Sequence, residues 1–114
     1  MNIEEILAER VYRLSGSEED LRLTIRIGIP RRTSDGQYEC AAELQEPDRT
    51  TLRHMGGEDA IQAIQLAMVV LGVEMKHINE QIGGGLCWHE AGDDLGLPTY
   101  PDFSVFTPTV RAND

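Results

Sequence analysis

Side chains that ligate metals or exchange protons are concentrated in one short segment, CWHEAGDD, which begins at Cys87. Thiolate, imidazole and carboxylate groups are the common ligands of zinc and other transition metals. Alternate residues of a strand face the same side, so Cys87 and His89 would point towards one ligand. One hypothesis is therefore a small metal-binding protein or metal-dependent enzyme. Its candidate ligands are Cys87, His89, Glu90 and Asp93, with Asp94 beside them.

The same segment also fits an ordinary turn, which we favour. A glycine followed by two aspartates is typical of turns, and the spacing matches no familiar zinc or calcium loop. The other histidines and the serines form no catalytic group, because a nucleophile needs a base and an orienting residue within reach. We interpret His54 as a surface residue and His77 as a cation near a helix end. The sequence therefore favours a non-enzymatic protein without a cofactor.

The charge balance limits the partners that the protein could bind. Acidic residues number 20 and basic residues 10, for a net charge of −10. Nucleic-acid binding requires the opposite balance and is not expected. The acidity is concentrated from Glu58 onward, where Lys76 and Arg111 are the only basic residues. Such a surface is explained by plain solubility or by a basic protein partner.

Cysteine usage and the N-terminal residues bear on the cellular compartment. Two cysteines, Cys40 and Cys87, are too few for a disulfide framework. The residues before Arg10 include no basic side chain, unlike a signal peptide. The longest uninterrupted apolar run, Leu66 to Leu71, is far shorter than the roughly 20 residues that span a bilayer. We therefore expect a soluble cytoplasmic protein that does not enter membranes.

Alternating apolar residues predict a sheet with one wet face. Residues 21–29 and 37–46 both place apolar side chains at every second position. Residues 10–14 and the stretch from Thr50 predict two further strands, and the residues before Arg10 could form a short turn of helix. On the polar side, Arg22, Arg26, Glu39 and Glu43 predict a solvated surface held by cross-strand pairs.

Two residues between the central strands predict a tight hairpin. Asp35-Gly36 is a strong signal for a two-residue type I′ turn, in which both residues take positive φ. In that register Ile27 lies opposite Leu44, and Ile29 lies opposite Ala42. A slip of one residue would reverse both faces of the strands, so the turn and the apolar pattern support each other.

One long helix is predicted over residues 61–78. Its apolar side chains recur at spacings of three and four: Ile61, Ile64, Met68, Leu71, Met75 and Ile78. Gly83 and its two following glycines would end it. Between Leu66 and Val73 the helix is apolar almost all round, and each side needs a cover. We favour the chain after Leu86 as that cover, with a homodimer through the helix as the alternative to a monomer.

The predicted fold is a single α+β domain over residues 1–103, with a flexible tail at 104–114. It consists of an antiparallel β-meander of three to four strands covered on one face by a single long α-helix. An irregular C-terminal segment follows, with a short strand in residues 86–90.

Two motifs resemble a family of small bacterial proteins classed as a domain of unknown function. They are G-x-D-A-x-Q-A-x-Q-L-A in the helix and D-L-G-L-P at residues 94–98, together with Trp88. The resemblance covers about Val11 to Pro98. It implies a compact sheet with one long helix in the bacterial cytoplasm, and it implies no activity and no catalytic residues.

The leading functional hypothesis is a non-enzymatic acidic protein-binding module, an immunity-like or antitoxin-like partner of a basic protein. Loops with aromatic and acidic residues after the helix would form the contact surface. The candidate residues are Trp88, His89, Glu90, Asp93, Asp94 and Tyr100. The metal-binding protein and the homodimeric structural protein stay as alternatives.

Overall fold

The computed structural model describes residues 5–14, 21–89 and 95–98. The elements are β1 (Ile6–Leu14), β2 (Arg22–Gly28), β3 (Arg31–Arg32), β4 (Tyr38–Gln45), β5 (Thr50–Gly57), α1 (Ala60–Gln81) and β6 (Leu86–Cys87). All paired strands are antiparallel. The fold is an open antiparallel sheet packed against one helix within the described residues, as predicted.

Strand β4 lies inside the sheet. It pairs with β2 and β3 along one side and with β5 along the other, while β1 pairs with β2 and β6 pairs with the end of β1. Because β3 continues β2 beyond Pro30, the sheet is a meander of four main strands with β6 added at one edge. The predicted helical turn before Arg10 is wrong from Ile6 onward, where the chain pairs with β2, and its residues before Glu5 lie outside the described part.

The pairing of β2 with β4 differs from the predicted register by two positions. Ile27 lies opposite Ala42, and Ile25 lies opposite Leu44. Since side chains alternate between the two faces, a shift of two keeps each residue on its predicted face. The partners are therefore different although the inward and outward faces are right.

Two separate one-residue irregularities cause this shift. The loop has three residues, because the N–H of Gly36 donates to the carbonyl of Thr33 and the N–H of Thr33 donates to the carbonyl of Gln37. Gly36 has φ +86°, whereas Asp35 does not have positive φ, so the type I′ prediction is wrong. The second extra residue lies around Pro30, which has no N–H for the ladder. This bulge leaves Ile29 exposed, contrary to prediction.

The core lies between one face of the sheet and α1. Its strand residues include Leu23, Ile25, Ile27, Cys40, Ala42 and Leu44, all buried. On α1 the buried side runs through two small residues, Ala63 and Ala67, and two residues of the predicted stripe, Leu71 and Met75. Ile61 is 67% exposed, so the predicted apolar stripe is wrong at its first residue. Small residues let the helix approach the sheet closely, and a Cβ on Gly57 would lie 2.5 Å from the backbone nitrogen of Ala63.

Side-chain and glycine caps define both ends of α1. At the start, the Asp59 carboxylate accepts from the N–H of Gln62 at 2.8 Å. At the end, the N–H of Gly83 donates to the carbonyl of Glu80, and the N–H of Gly84 donates to that of Asn79, which is a Schellman motif. The predicted glycine stop is confirmed. His77, interpreted as a helix-end cation, precedes the last turn of residues 78–81.

The apolar part of α1 is longer than the uninterrupted run of apolar residues from Leu66 to Leu71 suggests. The helix has 22 residues and an 18-residue window of mean hydropathy 1.3, enough by length and composition to cross a bilayer. Core helices of globular domains pass the same test. Here the helix packs its buried side on the sheet of the same chain, in a compact fold.

Candidate functional site

The predicted contact surface lies only partly inside the described residues. Trp88 and His89 follow β6, both exposed, with ring centroids 5.8 Å apart and planes tilted by 40°. The rest of the predicted surface falls outside the described residues: Glu90, Asp93, Asp94 and Tyr100. Among residues 5–14, 21–89 and 95–98, no three His, Cys, Asp or Glu side chains are placed to hold a metal. The contact surface and the metal site of the Cys87 segment stay predictions.

An arginine on β1 joins Trp88 to the segment 95–98. The Cζ atom of Arg10 lies 4.0 Å from the centroid of the Trp88 ring, within cation–π distance. Its Nη1 donates to the carbonyl oxygens of Leu95 at 3.3 Å and Gly96 at 3.1 Å. The buried Tyr12 hydroxyl donates to the same Leu95 carbonyl at 2.5 Å. Strand β1 therefore holds the segment 95–98 through two neighbouring side chains.

Two glycines permit this close packing. Gly96 has φ +70°, and a Cβ there would lie 2.7 Å from Nη1 of Arg10 and 3.0 Å from Nε1 of Trp88. Gly72, in the middle of α1, would direct a Cβ into the carbonyl oxygen of Pro98. The expectation that the chain after Leu86 covers the helix is thus confirmed for residues 95–98. The homodimer alternative stays a prediction.

A cavity of about 260 Å³ opens beside Arg10, between β1, β2 and α1. Most of its wall is aliphatic, from Leu7, Ile25, Ile27, Ile64, Met68 and Leu97. Leu7 is 49% exposed and lies at the outer surface of the cavity. The cavity can hold an apolar group, and Arg10 and Glu9 are the charged residues among those that line it.

A second, more open depression of about 380 Å³ lies between the β3–β4 loop, the end of β5 and the start of α1. Three carboxylates line it, from Asp35, Glu39 and Glu58, and the described lining residues include no lysine, arginine or histidine. A hydrogen bond from the Thr33 hydroxyl and another from the Gln37 N–H lower the pKa of Asp35. Asp35 is therefore ionised at neutral pH.

The basic side chains closest in sequence to this depression are on β3. Arg31 lies opposite Glu39 in the ladder, and its guanidinium also contacts the Glu5 carboxylate at 3.6 Å. Glu39 therefore has a basic residue as its cross-strand neighbour, whereas Glu58 lies at the other wall, on the residue before the helix cap.

A family model for a domain of unknown function (DUF6968) matches residues 8–99. The chain belongs to this family. No curated protein matches the sequence, and no solved structure matches it. The resemblance to a domain of unknown function is therefore confirmed.

In this DUF6968 member both motifs have a structural explanation. The helix motif supplies the Asp59 cap, and Gln62 accepts from the N–H of Glu58 at 2.7 Å. The later motif supplies Gly96 and Pro98, which pack on Arg10, Trp88 and α1. Each described residue named here serves a cap or a close contact. The motifs therefore indicate how α1 begins and how the segment 95–98 packs on the rest of the fold.

The polar face of the sheet in this family member contains a fully buried carboxylate. Arg26 Nη1 lies 3.2 Å from Glu43 Oε1, and Gln45 donates to the same oxygen at 3.4 Å. Glu43 Oε2 is buried and has no hydrogen-bond partner. The expectation of a solvated face is therefore wrong at Glu43. Arg26 also contacts Glu9 at 3.4 Å, so one arginine bridges two carboxylates from neighbouring strands.

Proposed function

We propose that this protein is a non-enzymatic binding module that recognises a basic segment of another protein, as an immunity or antitoxin-like protein would. The depression lined by Asp35, Glu39 and Glu58, called the acidic depression below, is the observation that carries the proposal. Its occupant would be an arginine or lysine side chain of the partner. The proposal includes a bacterial cytoplasmic setting, consistent with the free thiols of Cys40 and Cys87.

The arrangement of the three carboxylates favours an extended cation over a metal ion. A metal requires ligand atoms that converge at about 2.0–2.6 Å from one point. The three carboxylates do not form such a group in the described part of the chain. Carboxylates spread over a depression suit a planar guanidinium, whose N–H groups donate in several directions and pair with carboxylates in bidentate fashion.

The net charge supports the same partner class. A net charge of −10 attracts a basic protein over a distance of about one Debye length and raises the rate of encounter. The depression would then determine where the partner docks, because local complementarity determines register and specificity. Binding should therefore depend on two separable features: total charge and the three named carboxylates.

The test compares two double variants of equal net charge. In the site variant, Glu39→Lys and Glu58→Lys reverse two charges of the acidic depression. In the control variant, Asp48→Lys and Glu80→Lys reverse two exposed charges that do not line it. The probe is a fluorescent nine-residue arginine peptide, titrated by anisotropy at several salt concentrations.

We expect the site variant to lose about tenfold more affinity for the peptide than the control variant, equivalent to about 1.4 kcal/mol. Equal losses in both variants would show that only net charge attracts the peptide, and would overturn the acidic depression as the docking site. A pull-down from the source cell with the same pair extends the test: the partner should be retained by the control variant and lost by the site variant.

A further inference from the structure

The cavity beside Arg10, called the apolar cavity below, has a mostly aliphatic wall, and its two charged lining residues are Arg10 and Glu9. We propose that it binds a small amphipathic carboxylate, whose apolar part lies among Ile25, Ile64 and Met68 and whose carboxylate lies at Arg10. This site is distinct from the acidic depression and does not depend on the proposed function.

The size of the cavity limits the ligand. Cavities of about 150 Å³ lined by aliphatic and aromatic side chains take up benzene and stay free of water. The 260 Å³ available here accommodates one ring with a short chain, or a short acyl chain. Longer fatty acids would extend past Leu7 into solvent. The ligand class is therefore a carboxylate of about ten heavy atoms.

The hydrogen bonds of Arg10 explain the preference for an anion. Nη1 donates to three neutral oxygens, those of the Tyr12 hydroxyl and of the Leu95 and Gly96 carbonyls. Within the described residues, no carboxylate forms an ion pair with Arg10. A half-buried guanidinium that has only neutral partners carries uncompensated charge. A ligand carboxylate would supply the missing counter-ion through a charge-assisted hydrogen bond.

Glu9 also lines the cavity, but its carboxylate pairs with Arg26 and does not supply that counter-ion. Glu9 and Arg10 alternate on β1, so their side chains leave on opposite faces of the sheet. The Glu9 carboxylate contacts Arg26, at 3.4 Å on the polar face. Arg10 instead shares the helix-facing side of β1 with Tyr12.

Ligand binding would also change the fluorescence of Trp88. Arg10 stacks on the Trp88 ring, and Trp88 is the only tryptophan of the sequence. A carboxylate that draws the guanidinium towards the cavity would change the surroundings of the ring. Leu97 lines the same cavity, so an occupied cavity would also hold the segment 95–98 more firmly.

The experiment uses three probes that share one apolar body: 3-phenylpropanoate, 3-phenylpropan-1-ol and 3-phenylpropylamine. Each is titrated into the full chain by calorimetry and by Trp88 fluorescence. The proposal predicts saturable binding of the carboxylate in the range of about 10 µM to 1 mM, typical of so small a ligand. The alcohol should bind about tenfold more weakly and the amine more weakly still.

Variants assign the binding to the cavity and to the charge. Met68→Phe and Ile64→Phe each fill the cavity and should abolish binding of all three probes. Val73→Phe, on an exposed position of the same helix, should leave binding unchanged. Arg10→Gln should remove the difference between carboxylate and alcohol while the alcohol still binds. Urea unfolding of each variant checks that it is folded.

Several results would overturn the proposal. No saturable binding of any probe up to about 10 mM would exclude the site, since even weak ligands of this size saturate there. Equal affinities for the three probes, or tightest binding of the amine, would exclude an anion site at Arg10. Unchanged binding in both cavity-filling variants would place the ligand elsewhere. The Glu39→Lys and Glu58→Lys variant should bind 3-phenylpropanoate normally, so this proposal and the acidic depression can fail separately.

Discussion

Replacing Gly72 with alanine tests whether the segment 95–98 packs on α1. In an exposed helix the change stabilises by about 0.8–1.0 kcal/mol, because alanine is the better helix former. Here the new Cβ would meet the carbonyl oxygen of Pro98 and lie 3.2 Å from Leu97 Cβ. Either the helix shifts or the segment moves away from it.

The geometry gives the size of the effect. If the segment moves, it loses the hydrogen bond from Tyr12 and the two from Arg10, at about 1 kcal/mol each. If the helix shifts, overpacking costs about 1–3 kcal/mol. Subtracting the helix-propensity gain leaves a net loss in the free energy of unfolding of about 2 kcal/mol if the segment moves and of about 0–2 kcal/mol if the helix shifts.

Urea unfolding followed by circular dichroism measures this loss, and the emission of Trp88 in the native state reports release of the segment. The control is Val73→Ala, an exposed neighbour on the same helix, which should change stability by less than about 0.5 kcal/mol. A Gly72→Ala protein that is about 1 kcal/mol more stable than the native chain, with unchanged Trp88 emission, would refute the packing of residues 95–98 on α1.

Three other predictions concern the core, the polar face and the helix start. Burial raises the pKa of Cys40 to about 11, so at pH 8 a thiol reagent should modify the half-buried Cys87 first and Cys40 only in urea, as counted by absorbance. Arg26→Met should lower the free energy of unfolding by about 2 kcal/mol, below the 3–5 typical of buried pairs because Arg26 is 25% exposed, and the loss should shrink when Glu43→Gln is added. Asp59→Ala removes the helix cap and should cost about 1 kcal/mol in chemical denaturation, whereas the exposed Asp48→Ala should cost little.

Side-chain alternation was sufficient to predict the sheet, although the turn type was wrong. The apolar period placed Leu23, Ile25 and Ile27 on the buried face, where they lie. Compared with the prediction, the loop that contains Gly36 is one residue longer, and the strand has one extra residue around Pro30. Together the two changes keep each side chain on its predicted face of the sheet. Periodicity is a property of each strand, whereas register depends on hydrogen bonds that the sequence pattern does not determine.

The helix was predicted with the right glycine stop and with a face that is right except at Ile61, since Leu71 and Met75 are buried and Ile64, Met68 and Ile78 pack against the core. The predicted stripe listed only large side chains, so it missed Ala63 and Ala67, which are fully buried beside Leu71 and Met75. The distance between helix and sheet determines which residues are buried, because small side chains let the helix backbone approach the sheet most closely. Hydrophobicity alone does not encode that distance.

The candidate sites were the least predictable part. Arg10 and Leu95 are separated by 85 positions, and no local spacing relates them. One signal was present: alternation on β1 puts Arg10 on the same side as Tyr12, so a cation was directed towards the interior. The acidic depression likewise combines a hairpin, a strand end and a helix start, which only the folded chain brings together.

The three-residue loop and the bulge around Pro30 compensate each other in the central hairpin. The length of the loop and the length of the strand therefore depend on each other. Deleting one residue of the Thr33–Gln37 loop alone would turn the inward side chains of one strand outward. Deleting a residue there and another at Ile29 or Pro30 would restore an uninterrupted ladder with the same core. Members of the family with the shorter loop should therefore also lack the bulge, and protein engineers should treat these two positions as a single unit of insertion and deletion.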